Sequence, residues 1–533
     1  MQLLSLSVSS VSRAAAPVVP RIAGRATRRQ VPACLCCVLV VASWLAVALP
    51  CAGQNAAAAR LEREAARLAD TGEIERAIES YRLLTQQFPD DRLAPGALLA
   101  AARLLISTGE ERTADDLIES LLTRHPRTEE AAEAFLLRGD ARAATARGDD
   151  DYRAARTLFR RVPLLFGRDE FPELPARAQA RVRSARLGLQ IGDREGAVGE
   201  LVAAIEDEPA SAWTGRARRL LGRTWLESGE IDAALEVLQS LADQEGDEPS
   251  LVADRRAAKS LLSYADRHIL RPGRGLPRWR STARWPVSGL ALREPEGVAA
   301  ADDGRVVVVD SELPLVALLD ASGRPLQSLA LDDALRPGFA GDTPYVLTDE
   351  RIVLPFDGQS LDFLQPVSSS RESPLRNLRA AVRDARGEWL VLARGWRGVL
   401  AFSGRRDGRE LLGSLRPDLV DIERDSLGRT YVLDEDSERV LRISVDRMAT
   451  DPVIAEDWRR PVALALDILG TLYVLDRGER QVFVYSAAGR RVDTIGPDLG
   501  AGIELRNPVD LAVDGAGRLF IADTKLPFLV VLE

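Results

Sequence analysis

Cysteine is the first residue this chain runs short of. It has four, Cys34, Cys36, Cys37 and Cys51, and none follows Cys51. A chain that begins after residue 53 would hold no disulfide, no thiolate nucleophile and no cysteine-bound metal. Histidine is scarcer still, with two residues, His125 and His268. Residues 269–533 therefore have no imidazole, which excludes a His-ligated zinc centre and a Ser–His–Asp triad there. Both histidines read as helix-end residues. Lysine is confined to Lys259 and Lys525, so arginine carries nearly all the positive charge, and the formal net charge is -9. An acidic balance argues against nucleic acid as a partner.

Long apolar runs are also missing, apart from Ala33–Leu49. Five arginines precede that run (Arg13, Arg21, Arg25, Arg28, Arg29), and the small-residue stretch Cys51-Ala52-Gly53 follows it. A basic region, an apolar core and a cleavage zone make residues 1–53 a secretory signal. The location expected is periplasmic or secreted, in the cell envelope. The alternatives are an uncleaved anchor, for which Ala33–Leu49 is short, and a lipid on Cys51, from which Pro50 departs. Arg28-Arg29 partly matches a twin-arginine signal, and Gln30-Val31-Pro32 matches it poorly.

What the chain does have is repetition of two kinds. From residue 54 to 270 it is rich in Ala, Leu, Arg and Glu with helical periodicity. In the first unit small Ala65 and Ala77 sit where two helices approach, Gly72 breaks the first helix and Pro89 ends the second. The spacing returns with Ala102, Gly109, Ala114, Ile118 and Pro126, then with Ala185, Gly192, Ala197, Leu201 and Pro209. It returns again with Gly222, Gly229, Ala234 and Leu238. A period of about 40 residues predicts roughly five helix pairs and a capping helix over Leu251–His268. The third pair is irregular, with an insertion at Pro163–Pro175.

Residues 271–278, RPGRGLPR, read as a linker, and residues 279–533 carry the second repeat. Apolar runs of four to six residues recur with turn glycines at Gly304, Gly387, Gly428, Gly470 and Gly517. The step is about 41 residues, with one double step, which predicts six four-stranded blades of a β-propeller. The skipped unit is the degraded YVLTDERIVLPFDGQSLDFL at 345–364. The last copy stops at Glu533 after three strands. Trp279–Val287, just ahead of the first copy, is therefore expected to supply the missing outer strand and close the ring.

The phrase built from Pro508, Leu511-Ala512-Val513-Asp514, Gly517 and Leu519–Asp523 resembles the NHL family of six-bladed propellers, over roughly 295–533. That resemblance implies an architecture and a ring-shaped binding surface but no single chemistry, since the fold hosts lyases and pure binding modules alike. The segments SYRLLTQQFPDD and LIESLLTRHPRTEEA, with Phe88-Pro89 and His125-Pro126, resemble the tetratricopeptide (TPR) repeats of bacterial envelope proteins. Examples are the periplasmic partner of the Tol–Pal system and the lipoprotein component of the outer-membrane assembly machine. The chain is thus read as a multidomain protein, an all-α TPR superhelix followed by an all-β six-bladed propeller.

The functional reading is a non-catalytic envelope scaffold. The concave groove of the array would hold a protein or peptide, with Arg103, Arg183 and Arg223 as contact residues. The propeller would hold a second ligand, with Arg394, Trp396 and Arg397 as a surface patch suited to an anionic polymer. No cofactor is expected. Asp310, Asp434, Asp476 and Asp523 recur once per blade and read as structural residues of the repeat. The alternative is a carboxylate- or calcium-dependent hydrolase or lyase at the propeller mouth, which converging Asp and Glu side chains would favour.

Overall fold

The structure is a computed structural model. It describes residues 56–146, 148–209, 211–270, 279, 281–285, 292–363, 375–384, 387–396, 398–403, 408–412, 418–425, 427–443 and 450–533. The signal reading of 1–53, Cys51 and the linker 271–278 lie outside them. Among the described residues no helix is long and apolar enough to cross a membrane.

Among the described residues eleven α-helices come first. They are α1 (56–70), α2 (Ile74–Gln87), α3 (Ala94–Ser107), α4 (Glu111–Arg124), α5 (Glu129–Ala144) and α6 (Asp149–Leu165). Then come α7 (Pro175–Gln190), α8 (Arg194–Asp207), α9 (Thr214–Ser228), α10 (Ile231–Ala242) and α11 (Pro249–Tyr264), which runs into a π-turn at Ala265–Leu270. They pair in chain order, the odd helix of each pair also packing on the next odd helix. Small residues set the approach. At Gly222 of α9 a Cβ would strike the Leu238 side chain of α10, and Ala65, Ala77, Ala102, Ala114, Ala185, Ala197 and Ala234 are all fully buried. The third pair is irregular, as expected. Pro163 lies in the last turn of α6, and the connection to α7 is held by buried Arg177, which reaches Glu208 (2.6 Å) and the Phe166 (3.2 Å), Phe171 and Pro172 (3.1 Å) carbonyls.

Among the described residues the strands form six four-stranded antiparallel sheets. Blade 1 is β2 (Pro295–Ala300), β3 (Val306–Asp310), β4 (Leu315–Leu319) and β5 (Pro325–Ala330). Blade 2 is β6 (Arg336–Ala340) to β9 (Gln359–Asp362), blade 3 is β10 (Leu378–Arg383) to β13 (Arg409–Leu411), and blade 4 is β14 (Leu419–Arg424) to β17 (Thr450–Ala455). Blade 5 is β18 (Pro461–Leu466) to β21 (Arg491–Ile495). Blade 6 combines β22 (Pro508–Val513), β23 (Leu519–Asp523) and β24 (Leu529–Leu532) with β1 (Ser281–Trp285), from ahead of blade 1. β1 runs antiparallel to β24, pairing Trp285 with Leu529, and closes the ring. In five blades the second strand is buried along its whole length. Both of its faces meet neighbouring blades, which is why it reads as an unbroken apolar run rather than an alternating one.

Blade 2 starts earlier than its sequence suggests. Its inner strand is the segment RPGFA at 336–340, and a two-residue turn at Gly341-Asp342 leads to β7 (Thr343–Leu347). Pro337 is tolerated because an innermost strand has one edge facing the channel rather than a partner.

Candidate functional site

The hairpin turn between the first and second strands has one construction in blades 4, 5 and 6. Its leading carboxylate accepts backbone N–H bonds: Asp425 from Leu427 and Arg429, Asp467 from Leu469 and Thr471, Asp514 from Ala516 and Arg518. In blades 4 and 6 the second oxygen pairs with an arginine four residues on, Arg429 (2.5 Å) and Arg518 (2.7 Å). Blade 5 has Thr471 there, and the spare oxygen of Asp467 instead accepts the hydroxyls of Tyr473 (3.1 Å) and Tyr264 (2.7 Å). Tyr264 belongs to α11, so this bond crosses between domains.

Other contacts complete that docking. His268 Nε2 donates to the Gly517 carbonyl of blade 6 (2.9 Å), and Gln190 of α7 donates to the Leu427 carbonyl of blade 4 (2.8 Å). Ile468 and Leu469 of blade 5 pack with Leu238, Leu241, Leu261 and Tyr264. The odd-numbered helices α7, α9 and α11 thus turn toward the first-turn face of the propeller. His268 is more than a helix-end residue, being buried and stacked between Tyr264 and Trp279. His125, at the C-cap of α4, is such a residue.

Docking roofs the central channel and leaves a cavity of 720 Å³. The innermost strands of all six blades line it from below, and Arg216, Arg219, Asp254 and Arg256 of α9 and α11 line it from above. Deepest lies a triad from alternate blades: Arg336 (blade 2), Asp421 (blade 4) and Asp510 (blade 6). Arg336 bridges the two carboxylates at 2.7 Å and 3.1 Å. Asp421 also accepts the N–H groups of Ile422 (2.9 Å) and Leu464 (2.7 Å), and Asp510 those of Leu511 and Val298 (3.0 Å each). Leu464 and Val298 belong to the following blades, so each aspartate also ties two blades together. Burial pushes both carboxyls up despite Arg336, Asp510 to about 6.

One layer nearer the roof stands Glu423, whose carboxylate accepts, among the described residues, one bond, from the Arg424 N–H (3.3 Å). Burial first, and then the neighbouring Asp421 charge, push it up to about 8. Tyr345 fills the space beside Gly338, where a Cβ would overlap its ring, and donates to the Ala381 carbonyl. Burial raises its pKa strongly. Among the described residues no group of three His, Cys, Asp or Glu could hold a metal ion.

The residues singled out from the sequence lie apart from one another. Arg103 (α3) pairs with Glu133 of α5, and Arg183 (α7) pairs with Asp140 of α5 and lies over the Trp213 ring. Both link successive odd helices. Arg223 (α9) is buried and pairs with Glu227 at 2.8 Å. It lies near Asp302 of blade 1, on the propeller side of the array. Arg394 is exposed at the far end of β11 (Trp389–Ala393), on the face away from the helices. Trp396 packs against the core of blades 2 and 3, and Arg397 lies outside the described residues. Asp310, Asp476 and Asp523 each accept the two backbone N–H groups that lead into their own blade, and Asp434 accepts that of Asp418. They are structural.

The sequence reading missed the triad, Glu423 and the helical roof. One signal was present: Val-Asp recurs at the same strand position in blades 4 and 6, at 420–421 and 509–510.

No protein-family model matches this chain, and no curated protein matches it either. Solved structures similar to it include a streptogramin B lyase, at 13% identity over 46% of this chain and 94% of the other, with a TM-score of 0.35. A gluconolactonase from Xanthomonas campestris is similar at 11% identity over 45% and 86%, with a TM-score of 0.34. A calcium-binding regucalcin from Agrobacterium tumefaciens is similar at 14% identity over 46% and 90%, with a TM-score of 0.32.

Proposed function

We propose that the protein is a non-catalytic scaffold of the cell envelope. Its TPR-type array holds a protein or peptide, and its propeller holds a second, smaller ligand. The observation that carries this reading is the occupation of the channel carboxylates. Asp421 and Asp510 are each bound by Arg336 and by two backbone N–H groups, so the acid pair that hydrolysis would need is spent on holding the blades. The array's contribution is confined to its outer part. α7, α9 and α11 turn to the propeller, which leaves the odd helices α1, α3 and α5 as the open groove, with Arg103 on it.

A photocrosslinking residue at position 103 should give a discrete adduct in intact envelopes, and one at buried position 223 should give none. Absence of any adduct from 103, or from further positions on α1 and α5, would sink the scaffold reading.

One observation favours the alternative of a hydrolase or lyase at the propeller mouth. Glu423 faces the roofed cavity and keeps its proton near neutral pH, as a general acid does. Turnover of any ester, lactone or glycoside that is lost in Glu423→Gln would replace the scaffold with the enzyme.

A further inference from the structure

We propose that the chamber between propeller and helical roof is a binding site for a compact multivalent oxyanion, a small molecule bearing two or more phosphate or carboxylate groups. This rests on the reading of the propeller as a ligand-holding module and is independent of what the array captures.

The argument begins with pairing. Most carboxylates that line the chamber are already engaged: Asp254 by Arg219, Asp303 and Asp342 by Arg305, Asp421 and Asp510 by Arg336, Asp425 by Arg429, Asp514 by Arg518, and Asp467 by two tyrosines. Four lining arginines have no carboxylate partner among the described residues; Arg383 of blade 3 is held by the Gly387 carbonyl (3.1 Å), which leaves Arg216 and Arg256 in the roof and Arg424 at the floor. Arg186 of α7 adds a fourth charge close by. Burial, and then the proximity of Arg424, Arg219 and Arg216, depresses its pKa, and burial also depresses that of Arg424. Arg186, Arg216 and Arg256 are exposed and Arg424 is half-buried, and like charges gathered around one opening repel unless an anion joins them. They come from α7, α9, α11 and blade 4, so no single element needs them for its own packing.

Asp302 and Glu423 are, among the described residues, the lining acids with neither a cationic nor a tyrosine partner; Asp302 is exposed, and Glu423 is pushed toward its neutral form, chiefly by burial. A neutral Glu423 offers an anion a hydrogen-bond donor instead of a repelling charge. The walls are backbone and small side chains such as Ala300, Ala465 and Ala512, and 720 Å³ is the size of a small-molecule site. The interdomain hydrogen bonds fall on blades 4, 5 and 6, so a ligand enters over blades 2 and 3. Guanidinium forks match phosphate and carboxylate alike, and the geometry fixes the shared chemistry rather than the choice between them.

The test is calorimetric titration of the full chain, at pH 7 and low salt, with pyrophosphate, with citrate and with glucose. At least one of the two anions should bind at one site per chain, and glucose should not. Pyrophosphate alone binding assigns a phosphorylated ligand, and citrate alone a polycarboxylate. Combined Arg216→Gln and Arg424→Gln should weaken binding at least tenfold, while Arg112→Gln, at an exposed position on α4, leaves it unchanged. If the double variant misfolds, Arg256→Gln, at an exposed position, should still weaken binding several-fold. Failure of both anions to bind, or equal binding by the arginine variants, overturns the proposal. Either result leaves crosslinking at position 103 untouched, so the two readings fail separately.

Discussion

The recurring aspartate at the end of the second strand illustrates how one side chain fixes a blade. Asp523 takes the N–H groups of Arg506 (2.7 Å) and Asn507 (3.0 Å) from the incoming loop and that of Lys525 (2.9 Å) from its own turn. It is fully buried. Asp523→Ala strands those donors, at about 1–3 kcal/mol for each left unsatisfied. The urea midpoint of the propeller should therefore fall by an amount equivalent to several kcal/mol, and a change under about 0.5 kcal/mol would show that the loop finds other acceptors. This role was legible, because a residue present in most blades serves the blade. Arg336 was not. It lies in RPGFA, where Pro-Gly reads as a turn, and Asp421 is 85 residues away. Glu423 permits a pH prediction. Its carboxyl moves from the ordinary 4.5 to about 8 on folding. Between those values the folded chain binds a proton that the unfolded chain does not, so its contribution to stability falls as pH rises through that window. Denaturation midpoints at pH 5 and pH 8 should differ less in Glu423→Gln than in the parent chain, and an equal difference would place the titration elsewhere.

At the scale of elements, the ring depends on a strand that precedes it in sequence. β24 would otherwise present an open edge with Leu529, Val530, Val531 and Leu532 buried beside it. Removing residues 281–285 exposes that edge and the apolar side chains under it, at about 25 cal/mol per Å² uncovered. The propeller should melt at least several degrees lower and aggregate on heating, and an unchanged calorimetric transition would show that three strands suffice. The six blades were legible because each repeats two signals, a buried second strand and a positive-φ turn glycine. The exception is physical. Blade 2 replaces the longer turn with Gly341-Asp342, whose glycine keeps a positive φ but falls off the regular step, and it places proline and glycine in its inner strand and leaves the start of its second strand only half-buried, which masks both signals. The helices were legible for a matching reason, since their alanines and glycines mark where backbones approach. The direction in which the array faces was not legible, because Arg223 on a helix surface reads as solvent-facing whether water or a second domain covers it.

At the scale of the whole molecule, the decisive event is docking, and little in the sequence announces it. Tyr264, His268 and Gln190 look like ordinary helix residues, and RPGRGLPR suggests independent domains. Only the three-dimensional arrangement shows that Thr471, standing where Arg429 and Arg518 stand in their blades, leaves Asp467 an oxygen for Tyr264. The turn glycines allow the docking to be separated from the fold. Gly470 and Gly517 occupy equivalent turns with φ of 82° and 77°, so alanine at either strains the backbone by about 1–3 kcal/mol. Their surroundings differ. A Cβ at Gly470 meets the Ala487 methyl at 3.7 Å and the Arg429 guanidinium at 3.8 Å, both ordinary contacts, whereas one at Gly517 collides with the rings of His268 and Tyr264. Gly470→Ala should therefore lower stability modestly and leave the scattering profile of the chain unchanged. Gly517→Ala should cost a similar strain within the blade and also push α11 off the propeller. That would raise the radius of gyration and speed hydrogen exchange along α11 and the Ala265–Leu270 turn. It should also weaken anion binding in the chamber, because Arg216 and Arg256 would move away from Arg424. If the two variants scatter identically, the contact around His268 does not hold the domains together, and the roof is set by the blade 4 and blade 5 contacts instead.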